Sequence, residues 1–357
     1  MVETRILRID PERPEPALVR EAAEVVRKGG IVAFPTETVY GLGADTYNEA
    51  AVRKVFEAKM RPVDNPLIVH IADLDQLYEV AVDVPTSAMS LASRFWPGPL
   101  TLLLRKSGRV PGVVTANRDT VAVRMPAHPV ALALIRESGV PIAAPSANLA
   151  GRPSPTTAEH VIKDLYGRVD LIIDSGETIY GVESTIVDLT REPPVLLRPG
   201  AMPVEEVEKA LGERLVIPPF ARGLGMADAA LAPGMKYRHY APLKRLTVVE
   251  GDYSDLDGYA RRVLEVVMEA ARRGSRPVVL CSTETAGIYR AAGIKVIELG
   301  PRSNVFIVAR NLFKALRAID EMPDVDEAYS EGFEEKGLGL AIMNRLRKAS
   351  GFTIVRV

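Results

Sequence analysis

The sequence has few of the residues that build disulfides and metal sites: one cysteine, four histidines and one tryptophan among 357 residues. A single cysteine excludes an internal disulfide, and Cys281 ends the apolar run 277–281, which predicts a small buried residue on a strand. A reducing compartment suits such a chain, so we expect it to be cytoplasmic. Without a Cys or His cluster, no metal held by protein side chains is expected.

The sequence also lacks long hydrophobic runs and a strong net charge. No apolar run approaches the length of a membrane span, and residues 1–16 alternate charged with apolar positions, unlike a signal peptide. We therefore expect a soluble protein with no membrane partner. The formal net charge of −1 gives no support to a primary role in nucleic-acid binding, although a local basic patch would not show in this total.

The length and the order of predicted elements indicate two α/β domains. Residues 1–211 alternate short strands and helices, and the connection from the strand 100–105 to the strand 121–125 lacks a helix, which predicts a twisted mixed sheet. From residue 245 to 357 helices regularly separate the strands, which predicts a smaller, doubly wound parallel sheet of the Rossmann type. Residues 212–244 are rich in Pro, Gly and Ala and form the predicted linker.

Polar loops follow several of the buried strands in the first domain. Residues 141–157 run from an apolar strand into Ser146, Asn148 and Ser154, and residues 31–45 repeat the pattern with hydroxyls, a carboxylate and glycines. One such loop by itself is commonly a turn without a ligand. Its recurrence favours a ligand crevice, because loops at the carboxyl ends of strands bring small donors together.

Isolated charges in this domain leave two interpretations open. Lys59 and Arg61 end a predicted helix, where they can complement its dipole or, with the prolines that follow, face a phosphate. Arg124 lies on an apolar strand and needs an anionic partner, either a structural carboxylate or that of a substrate. His70 is by default a hydrogen-bonded core histidine.

Seven segments of the first domain, taken in order, resemble the YrdC/TsaC family. They are PTETVYGLGAD (35–45), KMRPVDNPL (59–67), WPGPLT (96–101), VAVRMPAHP (121–129), PIAAPSANLAGRPSPT (141–156), GVESTIVD (181–188) and LRPG (197–200). The segment APGMKYRHYAP (232–242) and the α/β region after it resemble the long, two-domain form of that family.

The resemblance implies an L-threonylcarbamoyladenylate synthase, a nucleotidyltransferase. Such an enzyme joins L-threonine, bicarbonate or CO2 and ATP into threonylcarbamoyl-AMP and diphosphate, with Mg2+ carried by the ATP phosphates. A downstream transfer complex then modifies the adenosine beside the anticodon in tRNAs that read A-starting codons.

The resemblance also implies roles for individual residues. L-Threonine is assigned to Thr38, His70, Arg124, Ala144 and Ser184. ATP is assigned to Arg61, Asn65, Thr120, Ser146, Ser154, Arg198, His239 and Tyr240. Lys59, Arg61 and Asn148 are the candidate catalytic residues. We further expect residues 232–242 to cover the site, because a carbamoyl adenylate needs protection from water.

Two other functions compete with this interpretation. A nucleic-acid-binding module is one, since a concave sheet can hold duplex RNA, and weak RNA binding is therefore an additional expectation. A hydrogenase-maturation carbamoyl transferase is the other, but the acylphosphatase and zinc-finger segments of that relative are absent here.

Overall fold

A computed structural model describes residues 2–236 and 239–357. Among these, residues up to 150, 154–221 and 226–236 form one compact unit. Residues 151–153, 222–225 and the chain from 239 onward form a second unit. Part of the predicted linker, residues 226–236, therefore belongs to the first unit.

The first unit is built on a mixed sheet. Its strands are β1 (Arg5–Arg8), β2 (Val32–Phe34), β3 (Gly41–Asp45), β4 (Ile68–His70), β5 (Ala81–Val82), β6 (Leu100–Lys106), β7 (Thr120–Arg124), β8 (Ile142–Ala144), β9 (Leu171–Asp174), β10 (Thr185–Asp188) and β11 (Val195–Arg198). Within the described residues their order is β1-β9-β2-β3-β8-β4-β7-β6-β10-β11, and β5 pairs with β6. β4 runs parallel to β7 and β6 runs antiparallel to it, which confirms the mixed sheet.

Helices separate most of these strands. They are α1 (Pro16–Arg27), α2 (Glu49–Lys59), α3 (Leu74–Val80), α4 (Thr86–Phe95), α5 (Pro129–Ser138), α6 (Ala158–Leu165) and α7 (Val204–Leu211). α2 begins where Asn48 accepts a hydrogen bond from the backbone N–H of Ala51, and it ends where Met60 adopts a left-handed conformation with a φ of 54°. This abrupt end turns the chain into the loop that carries Arg61 and Asn65.

The core of the first unit lies between helices and sheet. Ala22 and Val26 of α1 and Leu134 of α5 are fully buried in one apolar cluster with Phe34 and Ile142 of the sheet. Burial of such side chains stabilises the unit by about 1.5–3 kcal/mol each for the larger residues. The cluster therefore fixes the strands whose ends carry the polar loops.

Three strands were not predicted from the sequence: β1, β3, whose residues were assigned to a polar loop, and β5. β1 has an arginine at each end and two apolar residues between them, is largely exposed, and pairs in parallel with β9 at the edge of the sheet. A short, charged edge strand has no buried face to reveal it in the sequence.

The second unit confirms the predicted parallel sheet. Its strands β12 (Arg245–Glu250), β13 (Pro277–Ser282), β14 (Lys295–Gly300), β15 (Glu327–Glu331) and β16 (Ile354–Arg356) are ordered β14-β13-β15-β12-β16, and all their pairings are parallel. Helices α8 (Leu256–Arg272), α9 (Ala286–Ala291), α10 (Val305–Glu321) and α11 (Leu338–Ala349) connect them. Cys281 is a buried free thiol on β13, as expected.

None of the helices in the described part of the chain has the length and apolarity needed to cross a membrane.

Candidate active site

The first feature of the site is a buried guanidinium at the end of β7. Arg124 is 3% exposed; its Nε donates to the carbonyl of Gly98 at 3.2 Å and its Nη1 to the Oγ1 of Thr38 at 3.0 Å. Its Nη2 lies 2.6 Å from the Oε1 of Glu37. Arg124 thus has a structural carboxylate as its partner, and guanidinium N–H groups remain for a second anion because Arg carries five donors.

His70 lies beside Arg124 on the neighbouring strand. The two residues are paired in register between β4 and β7, and the Nδ1 of His70 is 3.1 Å from the carbonyl oxygen of Ile68. Burial and, second, the charge of Arg124 lower the pKa of His70 to about 3. His70 is therefore a neutral, hydrogen-bonded imidazole at neutral pH, and it adds no charge to the pocket.

Hydroxyl groups close the same end of the sheet. The Oγ of Ser184, just before β10, is 2.7 Å from the Oγ1 of Thr101 on β6. Arg198, at the end of β11, donates from Nη2 to the Oγ of Ser184 at 3.2 Å and to its carbonyl at 3.0 Å. Ala144 ends β8, where it pairs with Ile68 of β4. Thr38 and His70 therefore lie beside Arg124, and Ser184 lies at the same end of the sheet. Ala144 lies level with Ile68, at the opposite end of β4 from His70.

The loop after β8 is tied to the end of α2. Lys59 is 1% exposed, and its Nζ donates to the carbonyl oxygens of Ser146 and Asn148. Ser146 also forms a bridge with Gly41 in the glycine-rich strand β3. The Oγ of Ser154 donates to the carboxylate of Glu183, the residue before Ser184. Lys59 thus holds the shape of the loop, which the sequence did not indicate.

A second group of predicted nucleotide residues lies toward the other end of β7. Arg61 donates from Nε to the carbonyl of Asn65 at 3.2 Å and from Nη2 to that of Pro66 at 3.1 Å. The Oδ1 of Asn65 and the Oγ1 of Thr120 are buried without a hydrogen-bond partner among the described residues. Thr120 begins β7 and Arg124 ends it, so a strand rise of about 3.3 Å per residue places them roughly 13 Å apart.

The Thr120 end of the sheet opens into a polar cavity of about 520 Å³. Its lining includes Arg105, Arg118, Asp188 and Leu231 as well as Thr120. Arg124 does not line this cavity.

Residues 226–236 pack on the sheet of the first unit, to which they belong. Ala232 and Met235 are 0% and 2% exposed and lie in an apolar cluster with Ile68, Ala122 and Leu197. The carbonyl of Pro233 accepts a hydrogen bond from the Nη1 of Arg198 at 3.4 Å. This part of the predicted cover therefore contacts β4, β7 and β11, three of the strands that carry site residues.

A surface ion pair joins the same segment to the loop after α2. The Nζ of Lys236 lies 2.9 Å from the Oδ2 of Asp64, in the loop that also carries Arg61 and Asn65.

The remaining predicted nucleotide residues, His239 and Tyr240, belong to the second unit. Tyr240 is 4% exposed, and its ring stacks on that of Phe313 with a centroid distance of 5.3 Å. The guanidinium of Arg345 lies 5.2 Å from the centre of the Tyr240 ring. Tyr237 and Arg238 of the same motif lie outside the described residues. The roles of His239 and Tyr240 toward the nucleotide stay predictions.

Three polar residues of the site were not assigned from the sequence: Glu37, Thr101 and Glu183. Glu37 precedes Thr38 and pairs with Arg124. Thr101 contacts Ser184, and Glu183 contacts Ser154. Only Glu37 could have been recognised from the sequence. It is a carboxylate between two threonines just after a buried strand, and a charged residue in such a place needs a partner.

No grouping of three or more His, Cys, Asp or Glu side chains with the geometry of a metal site occurs in the described parts of the chain.

The fold and this site define a two-domain α/β protein whose first domain holds a buried guanidinium among hydroxyl groups, an arrangement suited to an anionic ligand. Residues 24–200 match the protein family described as "Telomere recombination", of the Sua5, YciO and YrdC proteins. Residues 202–351 match the family described as "Threonylcarbamoyl-AMP synthase, C-terminal domain".

Full-length relatives carry both regions. The threonylcarbamoyl-AMP synthase of Pyrococcus abyssi is 55% identical over 97% of this chain and 98% of its own length, and that of Bacillus subtilis is 48% identical over 95% and 94%. The crystal structure of P. abyssi Sua5 complexed with L-threonine matches with a TM-score of 0.92 and 54% identity over 99% of both chains. The structure of E. coli YciO matches 55% of this chain and 96% of its own, with a TM-score of 0.52 and 30% identity.

The chain belongs to the threonylcarbamoyl-AMP synthase family, in its two-domain Sua5 form. It is an enzyme of the nucleotidyltransferase type, as the sequence resemblance implied.

Proposed function

We propose that this chain joins L-threonine, bicarbonate or CO2 and ATP into L-threonylcarbamoyl-AMP and diphosphate. The observation that carries the proposal is the buried Arg124, held by Thr38, Glu37 and Gly98 beside the neutral imidazole of His70. A fixed guanidinium in a pocket of hydroxyls suits the carboxylate of a small amino acid. The L-threonine complex of P. abyssi Sua5, a protein of the same family and fold, supports this choice of ligand.

The proposed chemistry has two steps. The threonine amine condenses with bicarbonate to give a carbamate and water, and a carbamate oxygen then attacks the α-phosphorus of ATP as diphosphate leaves. Ser184 and the backbone at Ala144 hold the amino acid, while Arg124 fixes its carboxylate. Because the protein contributes no covalent intermediate, its work is to position the reactants and to offset charge.

ATP is proposed to extend along the sheet from Ser146, Ser154 and Arg198 toward Asn65 and Thr120. Two observations support this placement: the buried Oδ1 of Asn65 and Oγ1 of Thr120 have no hydrogen-bond partner among the described residues, and a cavity of about 520 Å³ lies next to Thr120. A buried polar atom without a partner is costly, so a ligand that supplies one is favoured.

Cations and one amide are proposed to act at the reacting phosphates. In this proposal Arg61 faces the phosphate chain and Asn148 lies near the reacting centre. Lys59 supports them by holding the loop after β8 through the carbonyls of Ser146 and Asn148. Mg2+ enters with ATP, where it offsets phosphate charge. Phosphate oxygens and water supply its ligands in this proposal.

Residues 232–242 are proposed to cover the bound reactants. The packing of Ala232 and Met235 on Ile68 and Ala122, and the Lys236–Asp64 ion pair, support this role. A carbamoyl adenylate is a mixed anhydride, and exclusion of water would extend its lifetime.

In the cell the product is proposed to pass to a transfer complex that modifies the adenosine beside the anticodon, in the cytoplasm. RNA binding by this chain itself stays a prediction.

The decisive experiment detects threonylcarbamoyl-AMP by mass spectrometry after the purified chain is incubated with L-threonine, bicarbonate and Mg-ATP. L-Serine in place of L-threonine is the matched control. We expect the adenylate only when threonine, bicarbonate and ATP are all present. Diphosphate release that does not depend on threonine would contradict the proposal.

A further inference from the structure

Glu37 is a buried carboxylate whose only task in the proposed reaction is to hold Arg124. Its residue is 1% exposed, and its carbonyl oxygen accepts hydrogen bonds from the backbone N–H groups of Ile179, at 3.1 Å, and Tyr180, at 2.9 Å. These bonds fix the backbone of Glu37, so its side chain has little freedom to leave the pocket.

The carboxylate is incompletely satisfied. Oε1 forms an ion pair with the Nη2 of Arg124 at 2.6 Å, but neither Oε1 nor Oε2 accepts a well-aligned hydrogen bond from a described residue. An ionised carboxylate offers about four acceptor positions, and a buried charge normally fills several of them. Oε2 is therefore a buried acceptor in need of a donor.

An amino acid has the complementary arrangement of charges. Its carboxylate and its ammonium group are joined through one carbon, and the ammonium carries three N–H donors. Arg124 and Glu37 present an opposite pair of charges at similarly short separation, 2.6 Å between the nearest atoms. A zwitterion can therefore lie alongside this pair with each of its charges facing the opposite one.

We propose that Glu37 binds the α-ammonium group of the amino-acid substrate, so that the Arg124–Glu37 pair selects a zwitterion. This inference rests on the proposed function, since it assumes that Arg124 receives the substrate carboxylate. It adds a second recognition element, for the nitrogen that becomes the carbamate. An anionic ligand without an amine has no positive group to place beside Glu37, so the Glu37 carboxylate repels it and weakens its binding.

A purely structural role for Glu37 predicts a different result. If Glu37 only holds Arg124 in place, its loss disturbs every ligand that uses Arg124, with or without an amine. The two roles are therefore separated by comparing two ligands: L-threonine, and its deaminated analogue in which a hydroxyl replaces the α-amino group.

The test measures binding of both ligands to the full chain by isothermal titration calorimetry, without ATP. The variant is Glu37→Gln, which keeps the size and an oxygen near Arg124. The matched control is Glu331→Gln, the same substitution at a fully buried carboxylate of the second unit that is ion-paired with Arg302. We expect Glu37→Gln to weaken L-threonine binding about tenfold or more and to leave the analogue within about twofold of wild type, or tighter, and Glu331→Gln to change neither.

A second variant guards against loss of the fold. Glu37→Asp keeps the charge for Arg124 but shortens the side chain by one carbon, and it too should weaken L-threonine more than the analogue. Equal weakening of both ligands, or no change in either, would overturn the role of Glu37. A wild-type chain that does not bind L-threonine would instead count against the proposed function itself.

Discussion

Removing Arg124 alone from the buried Arg124–Glu37 pair should lower the free energy of unfolding more than removing both charges. Arg124→Met leaves the carboxylate of Glu37 buried without its ion-pair partner, in side chains that are 4% and 2% exposed in the native pair. Removing one member of a buried ion pair costs about 3–5 kcal/mol. The double variant Glu37→Gln/Arg124→Met leaves no orphaned charge.

The size of the recovery follows from the remaining contacts. The double variant still lacks the hydrogen bonds from Arg124 to the carbonyl of Gly98 and to Thr38. Each hydrogen bond contributes about 1 kcal/mol, so we expect the free energy of unfolding of the double variant to lie within about 2 kcal/mol of the wild-type value. The single variant should therefore be the less stable of the two, although it carries fewer substitutions.

The only tryptophan makes the measurement specific to the first unit. Trp96 precedes Gly98 by two residues, and its Nε1 donates to the carbonyl of Leu100 at 2.7 Å. Its fluorescence in urea therefore follows unfolding of the first unit around the site. With a slope of about 2–3 kcal/mol per molar urea, a loss of about 4 kcal/mol lowers the midpoint by about 1.3–2 M.

An exposed ion pair supplies the control. Arg109→Met breaks the contact with Glu79 at 3.0 Å, in side chains that are 60% and 38% exposed, and should cost less than about 1 kcal/mol. If Arg124→Met also costs less than about 1 kcal/mol, or if the double variant is less stable than the single one, the argument from buried charge is wrong.

Three further predictions concern catalysis, pH and the cover. Arg61→Ala should lower threonine- and bicarbonate-dependent diphosphate release about a hundredfold or more with the fold intact by circular dichroism, because a cation at the phosphates is lost; activity within threefold of wild type would remove Arg61 from the mechanism. Burial lowers the pKa of His70 to about 3 in the folded chain, whereas in the unfolded chain His70 binds a proton below about pH 6.5. The free energy of unfolding therefore falls as the pH drops from about 6.5 toward 3. His70→Asn should reduce the slope of the free energy of unfolding, followed by Trp96 fluorescence, between about pH 6.5 and 5. The remaining slope is due to His128, whose pKa is lowered by burial to about 4. An unchanged slope would contradict burial of a neutral His70. A chain ending at Leu211 lacks the packing of Ala232 and Met235 and should form less intact adenylate, measured against total diphosphate released; full yield would remove the covering role.

Much of the architecture follows from local patterns in the sequence. The parallel order of the second sheet was predictable because helices separate its strands, and a helix is the usual way to return a chain to a parallel neighbour. The mixed first sheet was predictable because a strand pair without an intervening helix can pair antiparallel, as β6 and β7 do. The strand β1 was missed, since an exposed edge strand carries no apolar face.

Residue types and spacing by themselves determined that Thr38, Arg124, Ser146 and Ser184 stand at the ends of buried strands and that Arg124 requires an anion. Only the tertiary structure decided that the anion is Glu37, because the strand order between β2 and β7 brings together two side chains that are far apart in the chain. The same holds for Lys59, which donates to the carbonyls of the loop after β8. Long-range pairing depends on which strands become neighbours, and that order is set by packing of the whole domain, which no local pattern encodes.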